Sequence, residues 1–229
     1  MASTNDLARE LQPWSAVRAI TQTAGRGRFG RSFVSDLGGL WLSATLPAEG
    51  GVGRWGGFSL MAGWHLLLVL ENLAVPNVRL RWPNDVMSRN KKLAGLLVEQ
   101  GSRETLTVGI GMNVFNAPWR HDPSLAETCI RLADLLPVTP ELDTLAVLVL
   151  DALGDAHQAM LEGGLAGAIR ELNAHWAAER PVEITLVAGE TIEGRFMGLD
   201  HNAHLRVLDP WGHEHLVAYH HVAQLKELA

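Results

Sequence analysis

The segment Gly25-Arg26-Gly27-Arg28-Phe29-Gly30-Arg31 alternates three glycines with three arginines within seven residues. Glycine has no side chain to bury and leaves the backbone wide freedom, so the segment packs poorly. Each arginine brings a permanent charge and a planar fork of donors that suits carboxylates and phosphates. This segment, called the arginine loop below, therefore predicts a mobile cationic clamp for an anion. A solvated basic turn is the alternative interpretation.

The same glycines satisfy the G-x-G-x-x-G pattern of dinucleotide-binding folds. That pattern requires a strand before it, a helix that opens on it and an acidic residue about 20 positions further on. Val17–Ile20 could supply the strand, but residues 32–39 are turn-rich and residues 39–46 have the character of a strand. Because no helix follows the loop, a dinucleotide-binding fold is excluded.

Composition is that of an ordinary folded protein, with 47% hydrophobic and 19% charged residues. The net charge of -6 argues against nucleic acid as the main partner and makes the arginine loop a local positive feature. A single cysteine, Cys129, excludes an internal disulfide and fits a reducing compartment. The N-terminus lacks a signal-peptide pattern, and the most apolar window, Phe58–Leu73, is too short and interrupted to span a bilayer. We therefore expect a cytoplasmic location and no membrane partner.

Periodicity predicts a sheet-forming first half. Phe58, Met61, Trp64 and Leu67 have helical spacing and predict a buried helix. Alternating or dense apolar residues predict strands at Val17–Ile20, Gly39–Leu46, Val78–Trp82, Leu93–Glu99 and Thr105–Gly109.

Helices are predicted to follow this first half. Asp122-Pro123 opens a helix to about Leu136, which contains Cys129 as a small core residue. Thr139-Pro140 opens a second helix that Gly163-Gly164 ends. A third is expected at Leu165–Trp176.

Arg180-Pro181 is the predicted boundary between a larger domain, residues 1–179, and a small domain, residues 180–229. Short strands without a helix are typical of a small barrel. The predicted strands are Val182–Val187, Thr191–Leu199, His204–Asp209, Glu214–Ala218 and Tyr219–Leu225. His213 and His215 would share one strand face, but a tetrahedral zinc site needs more converging ligands. We favour solvated strand faces over zinc.

Polar groups occur where loops leave the predicted strands. Lys92 begins a strand and is either a functional cation or an exposed charge at a strand end. Asp85 either binds magnesium through oxygen or caps the turn before it. Asn113 either binds phosphate or metal, or satisfies neighbouring backbone groups. The triplet Ser3-Thr4-Asn5 either caps a helix or faces a ligand. Each signal is weak when it is taken alone.

In combination, these stretches resemble the biotin protein ligases, enzymes that attach biotin to a lysine of biotin-dependent carboxylases. The resemblance is close over residues 3 to about 115 and looser beyond them. It rests on Ser3-Thr4-Asn5, Gln22–Arg31, Trp82-Pro83-Asn84-Asp85, Lys92–Glu99 and Gly109–Val114. It implies an α+β fold, with a mixed sheet of the class II synthetase type flanked by helices as the ligase domain and a C-terminal SH3-like barrel.

The resemblance also implies a two-step reaction. Biotin carboxylate attacks the α-phosphate of ATP to give biotinyl-5'-AMP, and the ε-amine of a carrier lysine then attacks the mixed anhydride. Biotin and ATP with Mg²⁺ are the implied substrates. The implied partner is the biotin carboxyl carrier domain of acetyl-CoA carboxylase or a related carboxylase.

Matching positions carry the roles of the family over to this sequence. Lys92 and Arg28 would be catalytic, because positioned cations stabilise the charge that builds on the phosphate oxygens. The biotin-binding residues would be Ser3, Thr4, Asn5, Gln22, Arg26, Gly27, Arg28 and Lys92. The ATP-binding residues would be Arg28, Arg31, Phe33, Asn84, Asp85 and Asn113, with Asp85 also as the magnesium ligand. The arginine loop would order over the ligand and exclude water.

Some features depart from the family. Arg81 stands in place of the usual lysine, which keeps the charge but alters the geometry. Phe33 replaces a common tryptophan and retains an aromatic face for adenine. No winged helix precedes the triplet, so DNA binding is not expected, whereas a homodimer is among the expectations.

Two alternatives stay open at this point. A relative that acts on lipoate or octanoate would share the fold, but the arginine loop favours biotin. A sensor that binds biotin or biotinyl-adenylate without transferring it is the non-enzymatic alternative, which the presence of Lys92 disfavours.

Overall fold

The computed structural model describes residues 1–101, 104–176 and 179–228, and the predicted α+β class is confirmed. The chain divides into two compact units, Met1–Glu162 and Gly163–Ala229. The predicted domain boundary at residues 179/180 stays a prediction, since this division groups the helix before it with the second unit.

One six-stranded sheet forms the centre of the first unit. Its strands are β1 (Ser15–Ala19), β2 (Leu40–Pro47), β3 (Val78–Arg81), β4 (Asp85–Ser88), β5 (Lys91–Gln100) and β6 (Thr105–Met112). They lie in the order β1-β2-β6-β5-β4-β3, and each neighbouring pair is antiparallel. The sheet therefore differs from the mixed sheet that the resemblance implies, because β3 to β6 follow one another through short connections, which join antiparallel neighbours.

Helices pack against this sheet and bury its apolar residues. They are α1 (Thr4–Ala8), α2 (Phe58–Asn72), α3 (Leu125–Thr128) and α4 (Leu142–Gly163). Short 3-10 helices lie at Arg28–Gly30, Val52–Trp55, Pro118–Arg120 and Leu132–Asp134. The predicted buried helix is confirmed as α2, which contacts β3, β4 and β5 and buries Leu66, Leu67 and Leu70. Burial of each of these leucines stabilises the folded state by about 1.5–3 kcal/mol relative to an exposed side chain.

Helix α4 carries the predicted inward stripe, which includes the buried Leu145 and Val149. His157 of the same helix is also buried, with its Nε2 2.8 Å from the carbonyl oxygen of Pro47. Among the described residues, α4 is the one helix long and apolar enough to cross a membrane by length and composition. This is weak support for a membrane span, because core helices pass the same test. The absence of a membrane partner stays a prediction.

The predicted helix from Asp122 to Leu136 is wrong. Helix α3 ends at Thr128, and Cys129 follows in an extended conformation. Thr128, Cys129 and Ile130 are poor helix formers, and the backbone instead pairs with β5, where the amide of Ile130 donates to the carbonyl of Lys92 at 3.0 Å. Cys129 therefore lies beside the start of β5 and not inside a helix.

The second unit contains one helix and a five-stranded antiparallel sheet. These are α5 (Ala166–Trp176), β7 (Arg180–Leu186), β8 (Thr191–Leu199), β9 (Leu205–Leu208), β10 (Glu214–Val217) and β11 (Val222–Glu227), with a 3-10 helix at Tyr219–His221. The strand order is β10-β9-β8-β7-β11, so the outer strands do not pair and the barrel is not closed within the described residues. The SH3-like barrel stays a prediction.

Turns of the second unit use aspartate and histidine together. Asp209 Oδ1 accepts hydrogen bonds from the amides of Trp211 and His213, and Asp200 forms the same turn one hairpin earlier. Desolvation opposes the charge of Asp209, but hydrogen bonds from His215 and His213 lower its pKa to about 2. Across the described part of the chain, no group of three or more His, Cys, Asp or Glu side chains is arranged to hold a metal ion.

Candidate active site

Three glycines, which have no side chains, form the floor of the candidate site on one face of the six-stranded sheet. Gly95 of β5 lies opposite Gly111 of β6, and Leu97 lies opposite Gly109. Directly opposed residues of antiparallel strands point to the same face, and so do residues two apart along a strand. Gly95, Gly109 and Gly111 therefore share one face, and we call them the glycine floor.

A predicted site residue lies against each position of the glycine floor. The absence of Cβ atoms permits this close approach. A Cβ on Gly95 would lie 3.0 Å from Lys92 Nζ, one on Gly111 would lie 2.7 Å from Phe33 Cε1, and one on Gly109 would collide with Asn5 Oδ1. The fold thus brings Lys92, Phe33 and Asn5, which are far apart in the sequence, to one surface.

The Ser3–Asn5 triplet is buried at the start of α1 and is held by polar neighbours. Gln22 Oε1 accepts hydrogen bonds from the amide of Thr4 at 2.7 Å and from Thr4 Oγ1 at 3.0 Å. Ser43 Oγ donates to Asn5 Oδ1 at 2.6 Å. Ser3 occupies the N-cap position but makes no side-chain capping bond, so the helix-cap interpretation does not account for it.

Arg26 is bound within the protein by two carboxylates. Its Nη2 donates to Asp6 Oδ1 at 2.6 Å and to Glu99 Oε2 at 3.3 Å. The hydrogen bond from Arg26 lowers the pKa of Asp6, although burial opposes this. Because two anions already balance its charge, Arg26 anchors the arginine loop, and its predicted role in binding biotin stays a prediction.

Lys92 and Arg81 share the carboxylate of Asp85. Lys92 Nζ lies 2.6 Å from Asp85 Oδ1, and Arg81 Nη2 donates to Asp85 Oδ2 at 2.7 Å. Burial opposes the charge of Asp85, but the two cations outweigh it and hold its pKa below the usual range. The ammonium of Lys92 also lies 5.4 Å from the centroid of the Phe33 ring, within cation–π range. The charge of Lys92 is thus fixed above the glycine floor.

Phe33 lies at the glycine floor, and its predicted contact with ATP stays a prediction. Its ring is edge-on to Trp41 with centroids 5.9 Å apart, and it lies against Gly111. The Lys92 ammonium also lies over this ring, 5.4 Å from its centroid. An aromatic ring beside a fixed cation suits a planar, anionic ligand such as a nucleotide.

The arginine loop is closed by its own backbone into a small hairpin. The amide of Phe33 donates to the carbonyl of Gly25 at 2.9 Å, and the amide of Gly27 donates to the carbonyl of Arg31 at 2.7 Å. The 3-10 helix Arg28–Gly30 forms its tip. Arg28 therefore lies at the tip, Arg31 lies in the backbone pair next to the tip, and Arg26 lies nearer the base.

Asn84 and Asn113 both make side-chain hydrogen bonds within the protein. Asn84 Nδ2 donates to the carbonyl of Leu96 at 2.7 Å. Asn113 is buried, and its Oδ1 accepts a hydrogen bond from Asn116 Nδ2 at 2.9 Å. Their predicted contacts with ATP stay predictions, and the bond of the Asn113 side chain is to the Asn116 side chain and not to the backbone.

The residues near Asp85 fit a magnesium ion poorly. Magnesium prefers carboxylate oxygens that are free to complete an octahedral shell. One oxygen of Asp85 is taken by Lys92 and the other by Arg81. The role of Asp85 as a magnesium ligand stays a prediction, and its visible role is to orient Lys92.

Sequence reasoning assigns no role to two residues at this site, Ser43 and Glu99. Gly95, Leu97 and Glu99 are alternate residues of β5. Since alternate residues of a strand point to the same face, Glu99 is expected on the face of the glycine floor. That signal was present in the sequence. Ser43 is one of two polar residues, with Thr45, in a strand that is buried except at Pro47, and nothing in the pattern of β2 indicates its partners.

Comparison with known proteins identifies the family. A sequence model of the biotin/lipoate A/B protein ligase family matches residues 2–115. The bifunctional ligase/repressor BirA of Escherichia coli strain K12 is 30% identical over 221 residues, which cover 90% of this chain and 67% of BirA. The chain belongs to the biotin/lipoate A/B protein ligase family.

Several relatives within this family are named as biotin ligases. The biotin–[acetyl-CoA-carboxylase] ligase of Mycobacterium tuberculosis H37Rv is 37% identical over 137 residues, which are 58% of this chain and 50% of that protein. The biotin protein ligase from Aquifex aeolicus, solved in complex with biotin and ATP, superposes with a TM-score of 0.83 over 99% of this chain and 96% of that one, at 24% identity. This likeness confirms the fold, and the names of the relatives confirm the prediction of an enzyme of the biotin ligase class.

Proposed function

We propose that the chain forms biotinyl-5'-AMP from biotin and ATP and transfers the biotinyl group to a lysine of a biotin carboxyl carrier domain. The observation that carries the proposal is the position of Lys92. Its ammonium lies against the glycine floor between Asp85 and the Phe33 ring, on the surface that also holds Asn5. A single fixed cation is thus available to a carboxylate and a phosphate that meet on this surface.

In the first step, a carboxylate oxygen of biotin attacks the α-phosphorus of ATP, and the bond to the pyrophosphate oxygen breaks. Both reactants are anions, and negative charge builds on the phosphate oxygens in the transition state. Cations that are already in place lower this barrier because they need no reorganisation. Lys92 supplies one such cation, and Arg28 supplies a second when the arginine loop closes over the ligand.

Asp85 and Arg81 prepare Lys92 for this step. An ammonium group has three donors, and Asp85 uses one of them. The remaining two suffice for one oxygen of the biotin carboxylate and one oxygen of the α-phosphate. Arg81 fixes the second oxygen of Asp85, so the lysine keeps its direction while it binds the reactants.

In the second step, the neutral ε-amine of the carrier lysine attacks the acyl carbon of the mixed anhydride, and AMP leaves. The amine loses its proton to solvent as the amide forms. We propose as acceptor the carrier domain of acetyl-CoA carboxylase or a related carboxylase. The adenylate must be kept from water until the carrier arrives, and closure of the arginine loop over the ligand would provide this.

Magnesium enters as the ion that accompanies the ATP substrate. No step is assigned to a protein-bound ion, because Asp85 is committed to two cations. The predictions of a cytoplasmic location, a homodimer and the absence of a DNA partner stay predictions.

Pyrophosphate release with magnesium-ATP tests the proposal, with biotin, lipoate and octanoate compared as the acid. Release with biotin alone is expected. Release with lipoate or octanoate but not biotin would move the chain to the other branch of the family. Biotin-dependent adenylate without any labelling of a carrier domain would indicate a sensor.

A further inference from the structure

One carboxylate oxygen connects three separate parts of the candidate site. Glu99 Oε2 lies 2.8 Å from Asn5 Nδ2, 3.1 Å from Arg9 Nη2 and 3.3 Å from Arg26 Nη2. Asn5 belongs to the buried triplet, Arg9 follows α1, and Arg26 anchors the arginine loop. Glu99 itself belongs to β5, the strand that begins with Lys91 and Lys92.

We propose that Glu99 is a positioning residue that couples the Ser3–Asn5 triplet to the arginine loop, so that biotin seating and loop closure depend on one carboxylate. The consequence for biotin rests on the function proposed above. The coupling between the triplet and the loop does not, since it follows from the hydrogen bonds alone.

The charges around Glu99 alternate. Arg26 pairs with both Asp6 and Glu99, and Arg9 pairs with the same oxygen of Glu99. The side chain of Glu99 is 25% exposed and that of Arg26 is also 25% exposed, so water screens these pairs only in part. If the charge of Glu99 were removed, Arg9 and Arg26 would repel each other across the gap, and α1 and the loop would lose their common partner.

The amide of Asn5 has its direction fixed by the same carboxylate. Its Nδ2 donates to Glu99, and its Oδ1 accepts from Ser43. Gly109 has no side chain, and this absence provides the space that the Asn5 amide occupies. Glutamine at position 99 would keep one acceptor oxygen, but it would lose the negative charge that holds Arg9 and Arg26 beside Asn5, and its NH2 group would add a donor among donors. We therefore expect the Asn5 amide to lose its single orientation and the triplet to lose its preorganised shape.

The test compares Glu99→Gln with Glu10→Gln, a matched change at an exposed residue just after α1. Two readouts are taken. The first is the rate of trypsin cleavage after the arginines of the loop, without any ligand, located by mass spectrometry. The second is the KM for biotin and the KM for ATP in pyrophosphate release, with the melting temperature recorded for each variant.

For Glu99→Gln we expect cleavage within the loop to be at least about tenfold faster than in Glu10→Gln, as expected for the loss of one charge-assisted hydrogen bond. We also expect the KM for biotin to rise about tenfold, with kcat, the KM for ATP and the melting temperature close to those of the control. The shorter Glu99→Asp retains the charge and should lie between the wild type and Glu99→Gln in both readouts.

Equal loop cleavage in the two glutamine variants would overturn the coupling. A lower melting temperature, similar increases in the KM for biotin and the KM for ATP, and a decrease in kcat would together also overturn it. That pattern marks a merely structural residue. Faster loop cleavage in a protein whose wild type releases no pyrophosphate with biotin would uphold the coupling and refute the proposed function instead.

Discussion

Replacement of Lys92 by alanine should abolish most of the adenylation activity while the protein remains folded. The side chain of Lys92 is 27% exposed and makes one short ion pair with Asp85. Loss of a charge-assisted hydrogen bond costs about 1.5–3 kcal/mol of stability. We expect the lower end of that range, because Arg81 continues to hold the other oxygen of Asp85. Loss of one preorganised cation from the transition state should lower the rate by about 10³-fold, which corresponds to about 4 kcal/mol.

Lys91→Ala is the matched control, since it removes the same type of side chain one position away. Lys91 Nζ donates to the carbonyl of Ala126 at 2.7 Å, whereas the ion pair with Asp85 belongs to Lys92. Biotin-dependent pyrophosphate release is measured for both variants under saturating biotin and ATP, alongside thermal unfolding. If Lys92→Ala retained the rate of Lys91→Ala, or if it lost activity only because it unfolded, the role given to Lys92 would be refuted.

Further predictions concern the floor, the loop and the second unit. Gly111→Ala should raise the KM for ATP several-fold because its Cβ would lie 2.7 Å from the Phe33 ring; Gly154→Ala, which meets nothing within 4 Å, should instead stabilise α4 by about 1 kcal/mol. Arg28→Gly should release the adenylate more readily, which would appear as increased labelling of unrelated lysines; unchanged labelling would count against the loop as a lid. The pKa of Asp209 is lowered to about 2 on folding, so its contribution to stability is complete above its ordinary pKa of about 3.9 and is lost as the pH falls through the folded value. In denaturant titrations, the free energy of unfolding of Asp209→Asn should therefore fall less between pH 5 and pH 2 than that of the wild type. The same pH dependence in both proteins would contradict this.

The periodic segments were predictable from the sequence. Helix α2 and strand β8 appear where their apolar patterns place them, and β8 has the predicted bounds, Thr191–Leu199. The strand β4 was not predictable in this way, because Asp85 to Ser88 contains polar residues and follows a turn sequence. Its strand conformation depends on antiparallel pairing with β5, which the local sequence of β4 does not indicate.

Some members of the candidate site were predicted, but Ser43, Glu99 and the connections between the members were not. The motifs place Lys92, Asp85 and Arg26 in one site, yet nothing in their spacing indicates that Arg26 is bound by Asp6 and Glu99. Those pairs form across β5, α1 and the arginine loop, so they depend on tertiary structure. The same holds for Cys129, where pairing with β5 overrides a local helical pattern.

Formation of the adenylate itself is the most direct test of the central claim. Wild type, Lys91→Ala and Lys92→Ala are incubated with biotin and ATP labelled at the α-phosphate, and the labelled products are separated. We expect labelled biotinyl-adenylate from the wild type and from Lys91→Ala, and about a thousandfold less from Lys92→Ala. Absence of the labelled adenylate from the folded wild type, or equal amounts from all three proteins, would contradict the assignment of Lys92 and its surroundings as an adenylating site.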